Sequence, residues 1–100
     1  MRPYEVMVIF DGDEEEAAVK TSTKIYTDLV ASSEATIGNV DHWGKRKFAY
    51  PINKKNEGYY VVFQTMAEPE IMSELGRQLA LATNVVRHIV LRIPEEVFVK

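Results

Sequence analysis

This chain of 100 residues contains no cysteine. Disulfides, thiolate metal sites and a cysteine nucleophile are therefore excluded, and the composition is compatible with a reducing cytosol. Histidine is nearly as scarce, with only His42 and His88 to offer imidazole. No apolar run approaches the roughly 18 residues that a membrane-spanning helix needs. The start Met1-Arg2-Pro3-Tyr4-Glu5 lacks the basic opening, apolar stretch and small-residue cleavage site of a secretory signal, so the expected location is the cytoplasm. No glycine-rich loop of the phosphate-cradling kind occurs. What is present, 46% hydrophobic and 27% charged residues, describes a globular chain rather than a disordered or fibrous one. The length suits one domain, 1–100.

Positive charge is sparse except in one place. Lys45, Arg46, Lys47, Lys54 and Lys55 put five cations and no acid between 45 and 55, while the whole chain sums to −3, so the remaining residues sum to −8. Trp43, Phe48, Tyr50, Tyr59 and Tyr60 interleave with this island. Cations among aromatics combine attraction for phosphate with flat surfaces for stacking or packing. The plainer reading is a solvated, Lys-rich hairpin whose alternating aromatics belong half to the core.

Along the chain, Tyr4, Val6, Val8 and Phe10 alternate with Glu5, Met7 and Ile9, which predicts a strand over 4–10 with one strongly apolar face. Asp13 is the expected cap of a helix over about 14–33, with Glu14 to Glu16 at the positive end of its dipole. The acidic run lacks the alternating ligands and distal Glu of a calcium loop. Val19, Tyr26 and Val30 give that helix its buried stripe. A second strand runs from Ile37 through Phe48 and Tyr50 to Ile52, bulged near Gly38 or Gly44. Pro51 cannot donate to a ladder, which assigns this strand to a sheet edge. A turn over 53–58 leads to a strand over 59–66. Pro69 opens a second helix with a stripe of Ile71, Met72, Leu75 and Leu79, and Val85 to Ile93 forms the last strand before Pro94 and a short tail with Phe98.

This order, βαββαβ, predicts an α+β, ferredoxin-like fold: a four-stranded antiparallel sheet with two helices on one face and the second and fourth strands at its edges. Catalysis is not expected. His88 reads as a packed strand histidine, and Asp41-His42 is no catalytic pair because strand neighbours point to opposite faces. The run Gly58 to Phe63 only loosely matches the aromatic motif of the RNA recognition module, because Glu57 stands where that motif has a basic residue.

Several blocks together resemble a known family. They are Arg2-Pro3-Tyr4-Glu5-Val6, Trp43-Gly44-Lys45-Arg46-Lys47-Phe48-Ala49-Tyr50-Pro51-Ile52, Glu57-Gly58-Tyr59-Tyr60, Glu74-Leu75 to Leu79 and Asn84-Val85-Val86-Arg87. In order and spacing they resemble protein six of the bacterial small ribosomal subunit, over Arg2 to about Ile93. Departures fall at Phe48, where leucine is usual, at Ser33-Glu34, where glycines are usual, and at Ala80, Ala82 and Thr83, in place of polar and basic residues. The resemblance implies a structural protein that binds the central domain of small-subunit ribosomal RNA together with small-subunit protein eighteen, without cofactor, metal or small-molecule substrate. By motif it places Arg2, Tyr4, Arg46, Lys47, Tyr50 and Arg87 on the RNA or partner surface. With Lys45 and Lys54 of the island added, the RNA-binding candidates are Arg2, Tyr4, Lys45, Arg46, Lys47, Lys54 and Arg87; the partner-binding candidates are Trp43, Phe48, Tyr50 and Tyr60. Of Arg46 and Lys47, which face opposite ways on a strand, arginine is the better bidentate phosphate donor and takes the direct contact. The rival readings are a ferredoxin-like module that senses a metabolite and one that binds protein through an edge strand.

Overall fold

A computed structural model describes residues 1–52 and 54–94. The elements follow in the order β1 (Arg2–Asp11), α1 (Glu16–Ala31), β2 (Thr36–Ile52), β3 (Lys55–Ala67), α2 (Pro69–Leu81) and β4 (Val85–Arg92). The strands form one sheet in the order β2-β3-β1-β4, with every neighbouring pair antiparallel. This is the ferredoxin-like arrangement, with β2 and β4 at the edges, the position that Pro51 requires. The turn residue Asn53 and the tail with Phe98 lie outside the described residues.

Alternation along β1 decides the layering. Val6, Val8 and Phe10 point into a core completed by Val61 and Phe63 of β3, by Val19, Tyr26 and Val30 of α1, and by Met72, Leu75 and Leu79 of α2. Both helices thus cover one face of the sheet. Polar atoms on that side are satisfied: the Thr23 hydroxyl donates to the Val19 carbonyl at 2.8 Å, and the Thr65 hydroxyl reaches across to the Thr36 carbonyl at 2.9 Å. Glu5, Met7 and Ile9 face the other way, opposite Gln64, Val62 and Tyr60 of β3 and Leu91, Ile89 and Arg87 of β4. Among the described residues, no helix covers this second face.

Three local expectations change. Asp13 does not cap α1; the cap position is Glu15, which makes no side-chain capping bond. The chain first completes a turn in which the Asp13 N–H donates to Asp11 Oδ1 at 2.9 Å and the Glu14 N–H to the Asp11 carbonyl at 3.1 Å, and this delays the helix. Val85, which strict alternation puts beside Arg87 and Ile89, instead packs against the core, because the β1–β4 register shifts between Ile9 and Phe10 and brings Val85 opposite Phe10. The turn expected over 53–58 is shorter, since Ile52 already pairs with Lys55. After α1, Glu34 holds a left-handed φ of 70° at one of the two positions where the resemblance leads one to expect glycine.

Candidate nucleic-acid interface

The β2–β3 hairpin outgrows the sheet. Gly58 pairs with Asp11, the last residue of β1, so the hairpin beyond that point is an arm with no third strand beside it among the described residues. Within the arm the ladder slips between Lys47 and Ile52: five residues of advance on β2 match two on β3, from Glu57 to Lys55. Four residues, Phe48 to Pro51, thus stand against Asn56 alone, and the ladder is interrupted there. Phe48 folds back onto the uncovered face, where its ring lies above Gly58; a Cβ at Gly58 would stand 2.9 Å from Phe48 Cζ, 2.8 Å from Ile9 Cγ2 and 2.6 Å from the Phe10 carbonyl oxygen. Glycine is required there because backbone and ring both approach too closely for any side chain.

An aromatic platform rises beside this seat. A second register shift, between His42 and Gly44, leaves Trp43 unpaired, and Gly44 accommodates it with φ 87°. The Trp43 and Tyr60 rings lie nearly parallel, 8° apart in plane and 6.0 Å between centroids. Phe48 meets Tyr60 edge-on at 6.1 Å, so one tyrosine joins the two aromatics into a strip. The Arg46 guanidinium sits 5.6 Å from the Trp43 ring centre, a distance at which the ring quadrupole attracts the cation while its fork of donors stays available. Trp43 remains 43% exposed and Tyr50 69% exposed. Next to the strip lies an open concavity of about 300 Å³ floored by Met7, Ile9 and Ile89, with Lys47 and Arg87 in its lining.

The cationic island divides by partner. Lys45 points to the helix side, 3.8 Å from Glu57 and over the Tyr59 ring at 5.4 Å. Lys55 Nζ lies 3.0 Å from Asp11 Oδ2 and 3.6 Å from Asp13 Oδ2. Asp11 is held below the ordinary carboxylate value of 3.8, first by the Asp13 backbone N–H and then by Lys55, and Lys55 is raised in turn by Asp11. Among the described residues, Arg46, Lys47 and Lys54 have no carboxylate within 4 Å. Arg46 pairs with Gly58 and Lys47 with Glu57, so the two start out on opposite faces.

The structure gathers Arg46, Lys47, Arg87, Trp43, Phe48, Tyr50 and Tyr60 at one end of the uncovered face. Lys54 stands exposed at the turn with φ 64°. Arg2 and Tyr4 lie elsewhere. Arg2 pairs with Ala67 at the far end of β1, about 30 Å from the arm at the rise of an extended strand, and Tyr4 packs against the helix-side core. His88 pairs with Val8 on that same core side, and no group of three metal-ligating side chains occurs among the described residues. Sequence reasoning missed the apolar floor of the concavity and the seat at Gly58; a glycine inside an aromatic strand was the available signal.

Comparison with known proteins agrees with this geometry. The family described as ribosomal protein S6 matches residues 3–92. The small ribosomal subunit protein bS6 of Pseudarthrobacter chlorophenolicus is 45% identical over 96 residues, covering 96% of this chain and 94% of its own length. The bS6 protein of Streptomyces griseus subsp. griseus is 46% identical over 92 residues, covering 92% and 96%. The crystal structure of 30S ribosomal protein S6 from Thermotoga maritima superposes with a TM-score of 0.87 at 27% identity, over 92% of this chain and 87% of that one. The C-terminal domain of the MgtC protein from Mycobacterium tuberculosis, at TM-score 0.62 and 15% identity, shares the fold alone. Two observations thus converge, a βαββαβ sheet with an aromatic and cationic arm and a match over nearly the whole length: the chain belongs to the ribosomal protein S6 family.

Proposed function

We propose that this chain, as a single domain over 1–100, is a structural constituent of the small ribosomal subunit on the cytoplasmic ribosome. It binds the central domain of the small-subunit RNA together with small-subunit protein eighteen. Membership of a family of ribosomal proteins supports a structural rather than an enzymatic role. The observation that carries the reading is a set of cations without acid partners among the described residues, around exposed aromatics, on a chain whose net charge is −3. Arg46 and Arg87 face phosphate, Lys47 supplies supporting charge, and Lys54 stands at the tip of the arm. Trp43, Tyr50 and Tyr60 meet the partner protein, with Phe48 holding the strip in place. Arg2 and Tyr4 would serve a separate contact at the other end of β1, and Lys45, engaged by Glu57, adds charge without direct reach.

The net charge determines how such a surface works. An acidic chain gains no long-range attraction to RNA, so a local cationic patch is effective only once a basic partner completes the site. Binding of a central-domain RNA fragment, measured with and without protein eighteen, tests this. Weak binding alone and tight binding of the pair is the expected outcome; tight, specific binding by the isolated chain at physiological salt contradicts it.

A further inference from the structure

The arm, which carries Lys47, Phe48 and Tyr50 of the assembly surface, extends beyond β1, so something other than ladder hydrogen bonds must fix its direction. Three ties reach it from the body. Phe48 seats over Gly58. Gly12 lies so close to Glu57 that an added Cβ would come within 2.7 Å of the Glu57 Cγ and carbonyl oxygen. The third tie is Lys55, placed between Asp11 and Asp13.

Asp11 is the hub of that third tie. Its Oδ1 accepts the Asp13 N–H at 2.9 Å and shapes the turn into α1, while its Oδ2 receives Lys55. Its own N–H donates to the Asn84 carbonyl at 2.9 Å, and the Asn84 amide donates to Ser22 Oγ of α1 at 3.1 Å. The Asp11 carboxylate therefore links the arm to the turn that leads into α1, and the backbone N–H of the same residue ties it to Asn84, just before β4, the strand that carries Arg87. We propose that Asp11 and Lys55 form a clamp that holds the arm at the angle where Lys47, Phe48 and Tyr50 stand against the concavity that Arg87 lines, which makes both of them positioning residues for the interface rather than contacts to RNA. The proposal rests on the function given above. Charge alone would count Lys55 among the phosphate ligands, but its ammonium is already shared between two carboxylates. An exposed ion pair adds little to global stability, so its consequence belongs to the geometry of the arm.

The test uses Lys55→Met, Asp11→Asn, the double variant and Lys55→Arg in the full chain; Asn at 11 retains an oxygen for the Asp13 N–H. Amide exchange at Lys47, Ile52, Lys55 and Glu57, the residues that pair within the arm, reports the arm. Association with central-domain RNA in the presence of protein eighteen, over a salt series, reports the interface. The clamp predicts faster exchange in the arm and affinity lowered roughly two- to fivefold in each single variant. It also predicts an unchanged salt slope, a double variant no worse than the weaker single one, and Lys55→Arg near wild type. A slope lowered by roughly 0.7–0.9 in Lys55→Met, with Asp11→Asn unimpaired, would make Lys55 a phosphate contact and overturn the proposal. Unchanged exchange and affinity in both singles would overturn it equally. If the wild-type chain fails to assemble, the functional reading falls, and the exchange of the arm decides the clamp by itself.

Discussion

The two faces of the one sheet use similar residues for opposite ends. On the helix side, Phe10, Phe63, Leu75 and Leu79 are sealed from water, and the buried hydroxyls of Thr23 and Thr65 find carbonyl partners. On the other side, Tyr60, Trp43 and Phe48 contact one another but keep part of their surface open, with Arg46 and Arg87 among them. An aromatic in the first layer stabilises the fold, whereas an aromatic in the second, beside a cation that no carboxylate among the described residues neutralises, is available to a partner.

Substitutions should separate the faces. Phe63→Ala, deep on the helix side, should cost about 3–5 kcal/mol of unfolding free energy in urea titration and affect assembly only through the loss of folded protein. Gly58→Ala should fall between the two faces. Its Cβ meets the Phe10 carbonyl, Ile9 and Phe48 at once, so a loss of about 1–3 kcal/mol is expected, together with a displaced Phe48 ring and weakened assembly. Trp43→Ala should cost only about 1 kcal/mol of stability, the scale of an aromatic pair. Its association with protein eighteen should fall by at least about tenfold. A Trp43→Ala protein that loses several kcal/mol of stability but binds its partner normally would erase the distinction between the faces.

The helix-covered half was readable from the sequence because periodicity reports burial directly: the stripe Val19, Tyr26, Val30 and the alternation of β1 have one physical cause. The register shift that brings Val85 into the core was not readable, since a slip between Ile9 and Phe10 depends on strand pairing rather than on either strand alone. Nor was the interruption of the ladder at Phe48 to Pro51, which follows from the register slip between Lys47 and Ile52. In the island, composition located the charge but not its partners. Lys45 and Lys55 look the same as Lys47 in sequence, yet Glu57, Asp11 and Asp13 engage the first two. The grouping of Arg2 and Tyr4 with the arm came from family motif, and motif carries no distance; the pairing of β1 with β3 separates them.

The most direct measurement of the central claim, that the cations left without carboxylate partners among the described residues of the uncovered face meet RNA phosphate, is the salt dependence of assembly for Arg46→Ala. In the presence of protein eighteen and central-domain RNA, the slope of log affinity against log salt should fall by roughly 0.7–0.9 for one lost phosphate contact, while thermal stability stays within about 0.5 kcal/mol of wild type. An unchanged slope for both Arg46→Ala and Lys47→Ala would contradict the account and leave the arm a solvated hairpin.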